Sequence, residues 1–157
     1  MVENLRPKKV SESAIDNYPM EIFPNDLNPL KTVAGGRVLE IADRLAAIVA
    51  RRHSQNNCVT LFLDSVRFLS PAKEAEILIF KLSANRSWVT SMEIGVKIVT
   101  EDILLKNQRH VASMYFTFVA VDSNNIPTPI PQLIPEKEEE KRRFREANKR
   151  RKQRLKS

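Results

Sequence analysis

From Gly35 to about His53 apolar residues recur every three to four positions, whereas from Cys58 to Asp122 they tend to alternate. The first pattern is the stripe of one amphipathic helix and the second belongs to strands. The strand-like part divides at polar turns into 58–69, 74–83, 88–100 and 109–122, with Ser70–Lys73, Ala84-Asn85-Arg86 and 101–108 between them. In 88–100, Met92, Ile94, Val96 and Ile98 face one way, and Ser91, Glu93, Gly95 and Lys97 the other. A further short strand is expected at 17–23, with Pro19 placing it at an edge or a strand start. Connections this short favour antiparallel neighbours. One helix and one antiparallel sheet must cover each other's apolar faces, so the expected class is α+β.

The net charge of +7 first suggests nucleic acid, but its location argues otherwise. Residues 136–157 hold eleven Lys/Arg and five Glu, which leaves only +1 for the remainder. A neutral domain with a basic tail is a weaker nucleic-acid signal than a basic domain face, so that partner is disfavoured.

The sequence divides into a polar, flexible N-terminus (1–16), a globular domain (17–125), a proline-rich linker (126–135) and a basic helical tail (136–157). The linker, I-P-T-P-I-P-Q-L-I-P, should be extended and semi-rigid. In the tail, glutamates cluster at the start and bases at the end, matching the helix dipole. The charged start carries no leader pattern, and no run approaches the ~20 apolar residues of a membrane span. One cysteine, Cys58, excludes an internal disulfide and fits a reducing cytoplasm.

Asp43 is the odd residue of the helix. Val38, Ala42, Leu45 and Val49 centre the apolar face, while Glu40, Arg44 and Arg51 form the polar stripe. Asp43 lies away from that stripe, beside Leu39, Ala46, Ala47 and Ala50. The ordinary reading is a boundary carboxylate paired with Arg44 or Arg51. The functional reading is a general base at the wall of a cleft, where small neighbours leave room for a ligand. Gly35-Gly36 bears on the choice. A glycine pair at a helix start leaves backbone N–H groups bare, and these can face a developing negative charge. An anion hole and a base on one helix face suit acyl hydrolysis.

Other chemistries find little support. His53, His110 and Cys58 are scattered without metal-ligand spacing. His53 reads as a helix C-terminal cation, His110 as a surface residue and Cys58 as a buried thiol. Neither a P-loop nor G-x-S-x-G occurs.

The run N-P-L-K-T-V-A-G-G-R-V-L-E-I-A-D at 28–43 resembles the active-site segment of the hotdog-fold acyl-CoA thioesterases, of the cytosolic acyl-CoA hydrolase type. F-L-S-P-A-K at 68–73, T-S-M-E at 90–93, Y-F-T-F-V-A-V-D at 115–122 and the tail E-K-E-E-E-K-R-R-F are similar as well. The resemblance covers about residues 18–150. It implies a long helix wrapped by a curved antiparallel sheet, and a homodimer that can assemble into a trimer of dimers. The implied reaction is hydrolysis of acyl-CoA to free acid and CoA. Asp43 would activate water or attack the thioester directly. Asn28, from the partner subunit, would position water and substrate, and the Gly36 N–H would polarise the carbonyl, with Gly35 shaping the turn. Thr90 and Ser91 would lie along the CoA arm, and Arg86 or the tail would meet its phosphates. No metal or resident cofactor is implied, CoA being part of substrate and product. The chain departs from the family at Lys31, where glycine is usual, at Ala34, where an aromatic is common, and at Trp88-Val89, where Gly-Arg is frequent. The Ala34 and Trp88-Val89 departures motivate an alternative: a non-catalytic acyl-CoA binder or regulator on the same fold.

Overall fold

A computed structural model describes residues 5–156. Strand β1 (Lys8–Lys9) leads to β2 (Ile15–Glu21), then helix α1 (Gly35–Ser54). Strands β3 (Asn57–Phe68), β4 (Ile77–Ser87), β5 (Ser91–Glu101) and β6 (Gln108–Val121) follow. The chain ends with β7 (Leu133–Ile134) and α2 (Glu138–Lys156). The main sheet is wholly antiparallel in the order β2-β4-β5-β6-β3, as expected for strands joined by short turns. One face packs on α1. Met92, Ile94, Val96 and Ile98 of β5 meet Phe80, Met114, Phe116 and Phe118 in a single core with Val38, Ala42, Leu45 and Val49 of the helix.

The sheet's opposite face is covered too, and here the tail departs from expectation. Glu93 and Thr117 point away from α1 and are buried. Arg150 of α2 reaches down to Glu93, with Nη2 2.6 Å from Oε1 and Nε 3.0 Å from Oε2, and its guanidinium lies 3.6 Å from the centre of the Tyr115 ring. Asn85 Nδ2 donates to the same carboxylate at 2.9 Å. A Cβ on Gly95 would stand 2.6 Å from that amide nitrogen, so glycine there is a matter of space. Arg154 bonds Asp64 at 2.6 Å and lies over Phe62. The helix expected from the tail's composition is present, and it is docked across the sheet.

Strand β3 changes faces part-way along. Thr60 pairs with Phe118 but Phe62 pairs with Thr117, so one extra residue sits opposite the ladder between them. Side chains alternate with period two, and a bulge inverts the phase. Thr60 therefore points to α1, whereas Phe62 and Asp64 point to α2.

Four expectations need correction. Ala84-Asn85-Arg86 is not a turn: β4 runs through it to Ser87 with a register shift at Asn85, and the chain turns at Trp88, whose N–H donates to the Ser91 carbonyl. The described part of the N-terminus is not free, because Lys8 and Val10 are buried and β1 pairs in parallel with β7; residues 1–4 lie outside the described residues. The proline-rich segment is extended, yet it is a strap and not a spacer. Ile130 and Leu133 are buried, and their N–H groups donate to the Val89 carbonyl and Ser87 Oγ. His53 is not a helix-end cation either. It is fully buried, and Nε2 donates to the strap's Pro131 carbonyl at 2.8 Å. Burial pushes its pKa down, so the ring is held neutral. Cys58 is half-buried against Ser54, and burial pushes its thiol up, away from reactivity.

Candidate active site

The segment 24–34 arrives at the helix as a folded loop. Buried Asp26 accepts from the Phe23 N–H at 2.9 Å and from Arg37 Nε at 2.9 Å, tying the loop to the first turns of α1. Asn28 Oδ1 accepts from the Leu30 and Thr32 N–H groups, while its Nδ2 donates to Thr32 Oγ1 at 2.9 Å. An amide carries two N–H donors, so one remains for a ligand. Lys31 has φ 64°, the left-handed region. A side chain costs about 1 kcal/mol there and glycine escapes it, less its own entropy in the unfolded chain. Lys31→Gly should therefore raise stability by up to about 1 kcal/mol in a urea titration; a loss of stability would mean that the lysine side chain anchors the loop.

Helix α1 begins at Gly35 with no side-chain cap from Ala34. The first N–H groups of a helix have no intrahelical partner, which leaves Gly36 ready to donate. Gly36 is exposed, and a Cβ on it would meet nothing within 4 Å. The space above it is open to a ligand. Gly35 is different: a Cβ there would stand 3.3 Å from the Phe68 ring.

Two turns on, half-buried Asp43 is not paired with an arginine. Arg44 bonds Glu40 at 2.8 Å instead. Asp43 Oδ1 accepts from Thr60 Oγ1 at 2.8 Å, which fixes the carboxylate and leaves Oδ2 to take a proton. Thr60 was not legible as a site residue, since it is one of many strand residues in 58–69. Thr60→Val, of equal shape, should cut hydrolysis roughly tenfold, the worth of one hydrogen bond of about 1–1.5 kcal/mol. An unchanged kcat would show that the hydroxyl does not orient the carboxylate.

Gly36 and Asp43 share a helix face but not a location. Seven residues at ~1.5 Å each separate them by about 10.5 Å along the axis. A base and an anion hole must both come within about 3 Å of one reacting carbonyl. Within one chain the two groups are set about 10.5 Å apart along the axis, too far to meet at one atom. Asp43 instead meets Thr60 on β3, one of the two edge strands of the sheet. That edge exposes Val59, Leu61, Phe62 and Leu63, a long apolar strand of the sort that pairs with another chain.

Thr90 and Ser91 stand at the β4–β5 turn. Ser91 pairs with Val119, which pairs with Val59, so this turn is two strands, about 10 Å, from the residue next to Thr60. Arg86 is drawn elsewhere. Its Nη1 donates to the Phe144 carbonyl at 3.2 Å and its guanidinium covers the Phe144 ring at 4.0 Å, beneath α2. Arg145, Lys149, Lys152 and Lys156 are among the exposed bases of the tail. Among the described residues no group of three or more His, Cys, Asp or Glu could hold a metal, and no helix is long and apolar enough to cross a membrane.

The model of the Thioesterase superfamily matches residues 30–106. A Bacillus subtilis protein described as the uncharacterized acyl-CoA thioester hydrolase YkhA is 38% identical over 121 residues, spanning 76% of this chain and 69% of its own. The fold matches an apo-hexameric acyl-CoA thioesterase at a TM-score of 0.93 and 33% identity, over 96% of each chain. It also matches a Staphylococcus aureus acyl-CoA hydrolase in complex with butyryl-CoA, CoA and CoA disulfide, at a TM-score of 0.89 and 34% identity, covering 94% of this chain and 90% of that one. The same enzyme has been solved with single Asp→Ala, Thr→Ala and Asn→Ala substitutions. With the hotdog fold, the Gly-Gly helix entry and an edge-facing Asp–Thr pair already in place, the chain belongs to the acyl-CoA thioester hydrolases of the thioesterase superfamily.

Proposed function

We propose that this protein hydrolyses acyl-CoA to a free carboxylic acid and CoA, in a site shared by two copies of the chain. The observation that carries the reading is the Thr60–Asp43 hydrogen bond at the β3 sheet edge, about 10.5 Å along the helix from the Gly36 N–H. Pairing across β3 brings Asp43 of one copy towards Gly36 and Asn28 of the other, which is how both groups can serve one carbonyl. The Gly36 N–H then donates to the thioester oxygen, and its bond strengthens as that oxygen becomes an oxyanion. The free Asn28 N–H holds water and substrate. Asp43 Oδ2 takes the proton of a water whose oxygen adds to the carbonyl carbon; the C–S bond breaks, and the departing thiolate takes a proton. Direct attack by Asp43 would instead form a mixed anhydride that water later opens. Thr90 and Ser91 lie along the CoA arm, and exposed bases of α2 meet its phosphates. The dimer would assemble further into a trimer of dimers, a reading supported by the hexameric structural match. The unpaired thiol supports a cytoplasmic location.

Subunit complementation tests the shared site. Asp43→Asn and Asn28→Ala are each expected to be nearly inactive in a thiol-release assay. Co-refolded in equal amounts, half the dimers carry both lesions in one site and an intact second site. About one quarter of wild-type activity should return on random pairing. A mixture as inactive as its parents would place Asp43 and Asn28 in the same subunit's site. Absence of turnover by wild type that still binds acyl-CoA would favour the non-catalytic binder.

A further inference from the structure

We propose that the hollow beside Gly35 receives the acyl chain, and that Phe68 sets the length accepted, favouring chains of about eight to twelve carbons. The inference rests on the hydrolase reading, because it starts from a carbonyl held at the Gly36 N–H.

A cavity of about 340 Å³ opens between the head of α1 and the end of β3. Val33, Val38, Phe68, Leu69, Ala72 and Val111 line it. Gly35 is also in the wall, one residue from the carbonyl's donor. A chain leaving that carbonyl meets this wall first. The other end of the substrate, amides and phosphates, would lose its water there without replacement partners. An alkyl chain gains from the same burial. The one polar side chain in the wall is already engaged: Ser70 Oγ donates to the His110 carbonyl at 2.8 Å and accepts from Arg109 Nε at 3.1 Å.

The capacity follows from the volume. A cavity of about 150 Å³ takes the six carbons of benzene. The hollow therefore holds about a dozen carbons when filled, and fewer where its mouth is open. Its walls are fixed, which makes the limit sharp. Arg109 clamps Glu76 at 3.0 Å. The Val33 N–H donates to the Ala72 carbonyl at 2.9 Å, and the Leu69 N–H to the Val111 carbonyl at 2.7 Å. Phe68 is half exposed, at the end of β3, with its ring edge against Gly35. Trimming it lengthens the hollow towards solvent. The stretch F-L-S-P-A-K, otherwise without a task, supplies most of one wall.

The test is kcat/KM for saturated acyl-CoAs from two to sixteen carbons, with wild type, Phe68→Ala and Val33→Phe. Wild type should gain about fourfold per added methylene up to eight to twelve carbons, then fall. Phe68→Ala should raise the sixteen-to-eight-carbon ratio at least fivefold. Val33→Phe, which intrudes on the hollow, should move the optimum at least two carbons shorter. Inhibition of wild type by alkyl-CoA thioethers of graded length, unreactive at the carbonyl position, should show the same optimum without turnover. Active variants with the wild-type length profile, or a wild-type optimum at two carbons, would overturn the inference and leave the hydrolase reading standing. No turnover of any ester, with thioether binding indifferent to length, would overturn both.

Discussion

Asp43→Asn should leave the protein folded and able to bind acyl-CoA while lowering thiol release by about 10²–10⁴-fold, the usual contribution of a positioned general base. Asparagine keeps the shape and can still accept the Thr60 hydrogen bond through its carbonyl oxygen, so the geometry at β3 is kept. What it lacks is an oxygen that takes a proton from water or attacks a carbonyl. The loss should therefore fall on kcat, with KM little changed. Thermal denaturation within a few degrees of wild type separates this from misfolding. A folded Asp43→Asn protein with full turnover would remove Asp43 from the mechanism.

The largest stability effect should come from the opposite face of the sheet. Arg150→Ala leaves Glu93 fully buried with only the Asn85 amide for company. Breaking a buried pair by removing one partner costs about 3–5 kcal/mol, because the other charge stays uncompensated. At roughly 2–4 °C per kcal/mol for a chain of this size, the melting temperature should fall by at least about 6 °C. Replacing both partners, as Glu93→Gln with Arg150→Met, should recover part of the loss, since no ion is then stranded. A drop under 2 °C in Arg150→Ala would mean that α2 is held by its other contacts: Arg86 on Phe144, Arg151 on Trp88 and Arg154 on Asp64.

Much of this architecture could be read from periodicity. The helix from Gly35 and the inward row Met92, Ile94, Val96 and Ile98 stand where their spacing put them. Asp43 stood out because it broke an apolar margin. Its partner did not, because Thr60 comes from a different element, and polar residues in strands are common. The mistakes share a cause. Asn85 and Arg86 looked like a turn because they are polar, but their partners, Glu93 and the Phe144 carbonyl, lie far along the chain or on another strand. Lys8 and His53 looked exposed for the same reason. Each is satisfied by a backbone carbonyl that only the folded chain brings near, those of Arg52 and Pro131. Sequence shows that a group is polar; it does not show whether water or protein will solvate it.

The bulge in β3 also bears on how this strand can change over evolution. Before it, even-numbered Thr60 faces Asp43 of α1; just after it, even-numbered Phe62 and Asp64 face Arg154 of α2. Deleting the single residue Leu61, itself exposed, would close the ladder between Thr60 and Phe62 and cost little buried surface, because Thr60 and Phe62 already pair with the adjacent Phe118 and Thr117. Phe62 and Asp64 would keep Thr117 and Tyr115 as partners and so stay on the α2 side, whereas deleting Leu63 would put Asp64 opposite Phe116 and turn it from Arg154 towards α1. A one-residue gap at the bulge therefore leaves both faces of the strand in place, and a gap two residues later does not. Relatives that lack the bulge should keep the same inward and outward residues after it, displaced by one position, and the same docking of the C-terminal helix.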